Sequence, residues 1–197
     1  MSARTATATR ETSETRIRAR LALDGTGTAT VDTGVGFLDH MLAQLARHGR
    51  LDLSLSCRGD LQIDDHHTAE DCALVLGEAL DRALGDRAGI ARFGYAYAPL
   101  DEALARAVVD LSGRPWPSVE LGLRRERLGA LATENVTHFL NSLAIAARMT
   151  LHVDVLRGEN DHHRAEASFK AVALALRAAV RTEACSNAIP STKGVLR

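Results

Sequence analysis

The amino-acid sequence predicts an α+β protein made of two copies of one half-domain, and three observations carry that prediction. The stretch DDHHTAED at residues 64–71 returns as NDHHRAEA at residues 160–167. The offsets agree: His66 to His162 and Glu70 to Glu166 are each 96 positions, and His40 to His138 is 98. Segments of strand-like and helix-like periodicity follow one another in the same order in both halves. A repeat of about 95 residues is too long for a solenoid unit and suits a duplicated α+β half-domain. A chain of 197 residues with 46% hydrophobic content can withdraw roughly 70% of its unfolded surface from water. No Pro- or Ser-rich linker divides it, so residues 1–90 and 91–197 are expected to be half-domains of one compact unit.

TRIRARLALDGTG sets Ile17, Ala19, Leu21 and Leu23 against Arg16, Arg18 and Arg20, the alternation of a strand with one wet face. Asp24, Gly25 and the following Thr26, Gly27 and Thr28 mark a turn, and a second short strand follows. FLDHMLAQLARHG spaces Leu38, Met41, Leu42 and Leu45 as a helix does, with Gly49 placed as its stop. RLDLSLSCRGD alternates through Leu51, Leu53, Leu55 and Cys57. HHTAEDCALVLGEALDRALGDR then reads as a helix of about five turns, apolar at Cys72, Leu76, Ala79, Leu80, Ala83 and Leu84. In the second half, FGYAYAPLDEALARAVVDLSGRP predicts a strand, a turn at Ala98 and Pro99, and another strand ending at Gly113. PSVELGL is a further strand, ENVTHFLNSLAIAARM a helix, TLHVDVLRG a strand, and DHHRAEASFKAVALALRAAVRT the closing helix. Small residues dominate that last helix and allow close approach to whatever covers it.

Composition removes several function classes. The formal charge is -1 and the basic residues form no run, so neither nucleic acid nor an anionic membrane is an expected partner. Only 4% of residues are aromatic, which leaves few platforms for stacking bases. No apolar run approaches the roughly 18 residues of a membrane span. The segment MSARTATATRETSETR lacks the apolar stretch of a secretory signal. Cys57, Cys72 and Cys185 are an odd set without a CxxC pair, which fits a reducing compartment, and all three read as packing or surface residues. The expected location is the cytoplasm.

The repeated motif carries chemistry. Residues four apart share a helix face, so His66 and Glu70 converge on one ion, as do His162 and Glu166. His67 and His163 are rotated by roughly 100° from those neighbours and are free to serve a different ion. Each half adds a third histidine beside its shorter helix, His40 and His138. The pseudo-twofold relation of the halves pairs His40, His67, His162 and Glu166 at one metal and His138, His163, His66 and Glu70 at the other. Three imidazoles and a carboxylate suit Mn, Fe or Zn, and octahedral Mn, which keeps positions open for a substrate, is preferred over four-coordinate Zn. His48 and His152 lack a matched constellation and read as structural. Asp64, Asp65, Asp71 and Asp161 read as helix-start residues or as partners of the ligands.

Across residues 10–196 the chain resembles the imidazoleglycerol-phosphate dehydratase family of histidine biosynthesis. The matching stretches, in order, include RETSET, LDGTGTA, GFLDHMLAQLARHG, DDHHTAED, RFG, PLDEAL, DLSGRP, THFLNSLA, TLHVDVLRGENDHHRAEASFKA and PSTKGVL. Gly36 departs from the Pro common in the family before Phe-Leu-Asp-His, and Leu partly replaces the family's aromatics near His138.

The resemblance implies a ribosomal protein S5 domain 2-like fold, each half a four-stranded sheet with helices on one face. It implies a hydro-lyase that converts D-erythro-imidazole-glycerol phosphate to imidazole-acetol phosphate, with two Mn2+ ions gripping the imidazole ring. By the same resemblance Glu14 is the base, and Arg92, Arg114, Lys170, Ser191, Thr192 and Lys193 contact the substrate, the cations among them holding its phosphate; Gln44, one turn from His40, is expected to contact the substrate as well. Family members assemble as trimers into a 24-subunit homo-oligomer with active sites between subunits. Two other classes stay open on the residues alone: a metal-dependent phosphohydrolase, and a metal-storage or sensing module.

Overall fold

The computed structural model describes residues 4–183 and 188–196, so Cys185 lies outside the described residues. Among the described residues, two four-stranded sheets enclose four helices. The first sheet holds β1 (Thr5–Glu11), β2 (Thr15–Ala22), β3 (Ala29–Asp32) and β4 (Asp52–Gly59), in the order β1-β2-β4-β3. Its helices are α1 (Gly36–Gly49) and α2 (His66–Leu84). The second sheet holds β5 (Phe93–Leu100), β6 (Ala103–Asp110), β7 (Trp116–Glu120) and β10 (Thr150–Arg157), in the order β5-β6-β10-β7. Its helices are α3 (Thr133–Ala146) and α4 (Asp161–Ala179). Between β7 and α3 lies a small hairpin, β8 (Arg127–Leu128) with β9 (Leu131–Ala132). In both sheets the third strand in chain order runs parallel to the last, β3 beside β4 and β7 beside β10, and the other neighbours are antiparallel. The α+β duplication is therefore present in topology as well as in motif.

The helices form the middle of the molecule. Helix α2 lies on β1 and β2, and α4 on β5 and β6; across the halves α1 packs against α4 and α2 against α3. Leucines from all four helices, Leu45, Leu76, Leu143 and Leu176, meet Leu21 and Leu53 of the first sheet. Burying each such side chain stabilises the fold by about 1.5–3 kcal/mol. The small residues of α4 bring it close to β5: a Cβ on Gly94 would collide with the Ala175 carbonyl oxygen. Gly77 plays the same part in α2, where a Cβ would meet the Ala147 backbone nitrogen at 2.8 Å.

Several expectations need correction. The apolar pattern does not predict strand β1, because TATATRE is weakly apolar and buries only Ala8; its alternating β-branched threonines are its strand signal. Ala98 and Pro99 are not a turn. They continue β5, and Asp101 and Glu102 make the reversal. Pro99 is tolerated because β5 is an edge strand, where a missing N–H costs no ladder bond. Gly49 is the last residue of α1 rather than its stop, and Arg50 takes the left-handed conformation, φ 54°. The closing helix ends at Ala179, and Thr182 instead bridges to Ile90.

Candidate metal centres

Helix α4 presents His162, Glu166 and Lys170 at successive four-residue steps, and α1 presents His40 and Gln44 one turn apart. The packing of α1 on α4 brings these faces together. His40 Nε2 lies 3.1 Å and His162 Nε2 3.3 Å from Glu166 Oε2. The three ligand atoms fall within 4.8 Å of one another. On the other carboxylate oxygen, Gln44 Nε2 donates at 3.1 Å and Lys170 Nζ sits at 2.8 Å. Burial works to raise the Glu166 carboxyl, but the Lys170 ammonium and the His40 ring outweigh it and hold the group below its ordinary value. His48 hydrogen-bonds Gln44 Oε1 at 2.7 Å, and burial followed by Lys170 lowers its pKa. It thus orients Gln44, in keeping with a structural reading.

The second centre repeats the device on α2 and α3. His138 Nε2 lies 3.1 Å from Glu70 Oε1, and the His66 and His138 rings stack with centroids 4.8 Å apart and planes 25° from parallel. His66, Glu70 and His138 offer ligand atoms within 4.8 Å of one another. The buried Asp65 carboxylate accepts from Ala132 N at 2.7 Å and Asn135 Nδ2 at 3.0 Å. An ionised carboxylate only accepts, so the amide of Asn135 must turn its oxygen to His66 Nδ1, 2.9 Å away. That leaves the lone pair on His66 Nε2, the state a metal requires.

His67 and His163 join neither group within the chain. His67 Nδ1 donates to Asp60, at 3.0 Å to Oδ2, while its Nε2 stands 3.8 Å from Glu14. His163 Nδ1 donates to Glu102 Oε2 at 2.7 Å, and its Nε2 stands 3.8 Å from Asp101. The hydrogen bond to Asp60 raises the pKa of His67, and that to Glu102 raises that of His163. The same bond, with the Asn160 backbone N–H, holds Glu102 at about 2. The expected four-ligand sets are thus met three at a time in one chain, with the fourth imidazole pointing away, as the rotation between adjacent helix residues requires.

The remaining candidates fall in a third place. Arg92, Arg114, Ser191, Thr192 and Lys193 line one open pocket with Pro190. Arg92 grips Asp110 with Nε and Nη2 at 2.7 and 3.0 Å and donates Nη1 to the Pro190 carbonyl at 2.8 Å, tying the tail to the body. Asp71 accepts from Thr15 Oγ1 at 2.6 Å and Arg10 Nε at 2.8 Å, which anchors the turn bearing Glu14. Asp161 accepts from the backbone of Arg124 and Arg125, at 2.7 and 2.6 Å, and Asp64 from His66 N at 2.9 Å. Asp60, Glu102 and Asn135 lie outside the repeated motif, and the folded chain brings them to His67, His163 and His66. His152 is exposed on β10, and Cys57 and Cys72 are free and buried. No helix among the described residues is long and apolar enough to cross a membrane.

The family profile "Imidazoleglycerol-phosphate dehydratase" matches residues 33–176. The chain belongs to the imidazoleglycerol-phosphate dehydratase family.

An imidazoleglycerol-phosphate dehydratase of Salinibacter ruber is 57% identical over 99% of this chain and 96% of its own length. Another, from Methanothermobacter thermautotrophicus, is 55% identical over 95% of each chain. A Phytophthora nicotianae relative with the same description is 63% identical over 98% of this chain, which spans 42% of that longer protein. Among solved structures, imidazoleglycerol-phosphate dehydratase of Staphylococcus aureus superposes with TM-score 0.81 at 38% identity, covering 90% of this chain and 99% of that one. The Pyrococcus furiosus enzyme, solved in complex with (S)-C348, gives 0.82 at 35% identity over 95% of this chain and 99% of that one. In this dehydratase family member the donor set suits a borderline-hard divalent cation: each centre joins two imidazoles to a carboxylate, and His66, His67 and His163 have Nδ1 engaged and Nε2 free to ligate.

Proposed function

We propose that the protein is a cytoplasmic hydro-lyase of histidine biosynthesis that converts D-erythro-imidazole-glycerol phosphate to imidazole-acetol phosphate, with two Mn2+ ions per active site. The observation that carries this reading is the pair of equivalent His-His-Glu centres, each built across two helices from different halves of the chain. His40, His162 and Glu166 would hold one ion, and His66, Glu70 and His138 the other. His67 and His163, aimed away from both, would complete the centres of neighbouring copies in a homo-oligomer of 24 subunits built from trimers. When bound, the two ions supply positive charge that stabilises electron density in the substrate's imidazole ring.

The chain's own residues do the rest. Glu14 is exposed on the β1–β2 turn beside His67 and takes the proton from the carbon next to the one that loses its hydroxyl. The C–O bond breaks and the hydroxyl leaves as water, taking up a proton that balances the one Glu14 removed, and the resulting enol exchanges its O–H proton for a C–H proton to give the ketone. Gln44, held between His48 and Glu166, contacts the substrate. Arg92, Arg114, Ser191, Thr192 and Lys193, already gathered in one pocket, grip the phosphate, and Lys170 is a further cation for it.

The test is direct. Protein loaded with Mn2+ is incubated with imidazole-glycerol phosphate while ketone product, inorganic phosphate and bound Mn are measured. Ketone formation with two ions per chain is expected. Release of inorganic phosphate instead would make the protein a phosphohydrolase, and metal binding without turnover would make it a storage or sensing module.

A further inference from the structure

The two halves treat the second histidine of each HHxxE helix differently, and the difference lies in one pair of glutamates. Both strands of the first hairpin recur 88 positions later, Thr5 as Phe93 and Thr15 as Ala103. Glu14 recurs at the same interval as Glu102, so the two occupy equivalent turns. Glu14 stands beyond the Nε2 of His67, 3.8 Å away, whereas Glu102 bonds the Nδ1 of His163 at 2.7 Å. In the first half Asp60 takes the Nδ1 position instead, with both oxygens within 3.2 Å of the ring nitrogen.

Glu102 is fully committed. Its Oε1 accepts the backbone N–H of Glu159 at 3.2 Å and of Asn160 at 2.9 Å, and Oε2 accepts His163 Nδ1. Asn160 in turn caps α4, its Oδ1 accepting from His162 N at 2.9 Å and His163 N at 3.4 Å. One carboxylate therefore sets the start of the helix and the orientation of a ring on it. Because a carboxylate only accepts, the proton of the neutral ring must reside on Nδ1, and the lone pair is directed outward on Nε2.

We propose that Glu102 is a positioning residue for metal binding: it clamps His163 in the one tautomer and orientation that presents Nε2 to a cation. Asp60 does the same for His67 through a looser contact. The clamp rests on the reading of these histidines as ligands. It makes a prediction that a purely structural tie does not. Glu102→Gln is isosteric and keeps one oxygen, but that oxygen stays bonded to the two backbone N–H groups. The amide nitrogen then faces His163 Nδ1 as a donor, forces Nδ1 to accept, and moves the ring proton to Nε2, where it blocks ligation.

The experiment is a Mn2+ titration of the intact, metal-stripped oligomer. Wild type is expected to bind two ions per chain, and Glu102→Gln to bind one class of ion about 10–100-fold more weakly. Glu102→Ala, in which water replaces the carboxylate and either tautomer is allowed, should bind more tightly than Glu102→Gln. Asp60→Asn should lose less than Glu102→Gln, because the new amide is free to turn its oxygen to His67. Glutamine binding Mn2+ like wild type, or alanine proving worse than glutamine, would overturn the clamp and leave Glu102 as a helix tie. If Glu102→Gln does not fold, Asp60→Ala and Asp60→Asn put the same question to His67. Weaker binding by the alanine variant alone supports the need for an acceptor, and wild-type binding by both overturns it. A wild-type protein that binds no Mn2+ would refute the metal reading itself, a result distinct from failure of the clamp.

Discussion

Lys170 Nζ lies 2.8 Å from Glu166 Oε1, while His40 and His162 both approach the opposite oxygen, Oε2, of that carboxylate. An ammonium thus shares a carboxylate with the centre that would receive a divalent cation. Lys170→Met should tighten Mn2+ binding at this centre by about 3–10-fold, since one like charge a few ångströms away in a solvated site is worth about 1 kcal/mol. The same variant should weaken binding of phosphorylated substrate. Calorimetric titration with each ligand separates the two effects, and looser metal binding would show that the ammonium holds Glu166 in place instead of competing with the ion.

His67 has its Nδ1 on Asp60, and its Nε2 faces Glu14 at 3.8 Å, beyond hydrogen-bond reach. His67→Ala is expected to lose metal and turnover together, with the fold retained because the ring is partly exposed and outside the leucine core. Metal analysis beside a steady-state assay checks this. Full turnover with unchanged metal content would remove His67 from the ligand set.

Glu14→Gln keeps the shape of the turn, whose backbone is held by the Thr12 hydroxyl through Glu14 N at 3.1 Å and Thr15 N at 3.0 Å. Turnover should fall by about a hundredfold or more while metal and substrate affinity persist. Near-normal kcat would refute the assignment of the base.

Gly36 opens α1, is exposed, and a Cβ there would meet no atom within 4 Å. At the first helical position a proline loses no intrahelical bond. Gly36→Pro should therefore raise stability by about 0.4–1 kcal/mol through the unfolded chain, seen as a Tm increase of roughly 1–4 °C. A lower Tm would show that this backbone cannot accept the ring.

Gly94 behaves oppositely, because the obstacle is the backbone of α4 at Ala175. Gly94→Ala should destabilise the protein by about 1–3 kcal/mol. Denaturant unfolding of the variant measures it, and unchanged stability would mean that α4 can move off β5.

Much of this protein is legible before it folds. Alternation in TRIRARLAL and the four-residue steps of His66 to Glu70 and His162 to Glu166 are local, and local spacing alone dictates which side chains share a face. The duplication then supplies His40 and His138 by offset. Edge strand β1 stays hidden because a weakly apolar strand takes its stability from the register with β2, which is tertiary.

The contacts that convert histidines into ligands need the folded chain. Glu102 and His163 are separated by 61 positions, and Asn135 and His66 by 69. No periodicity relates such residues; they meet because a hairpin turn packs beside the start of one helix and α3 packs beside another. The division of six imidazoles into two groups with two outliers has the same origin. Adjacent residues on a helix must point apart, but which neighbouring helix fills each direction is set by how α1 packs on α4 and α2 on α3.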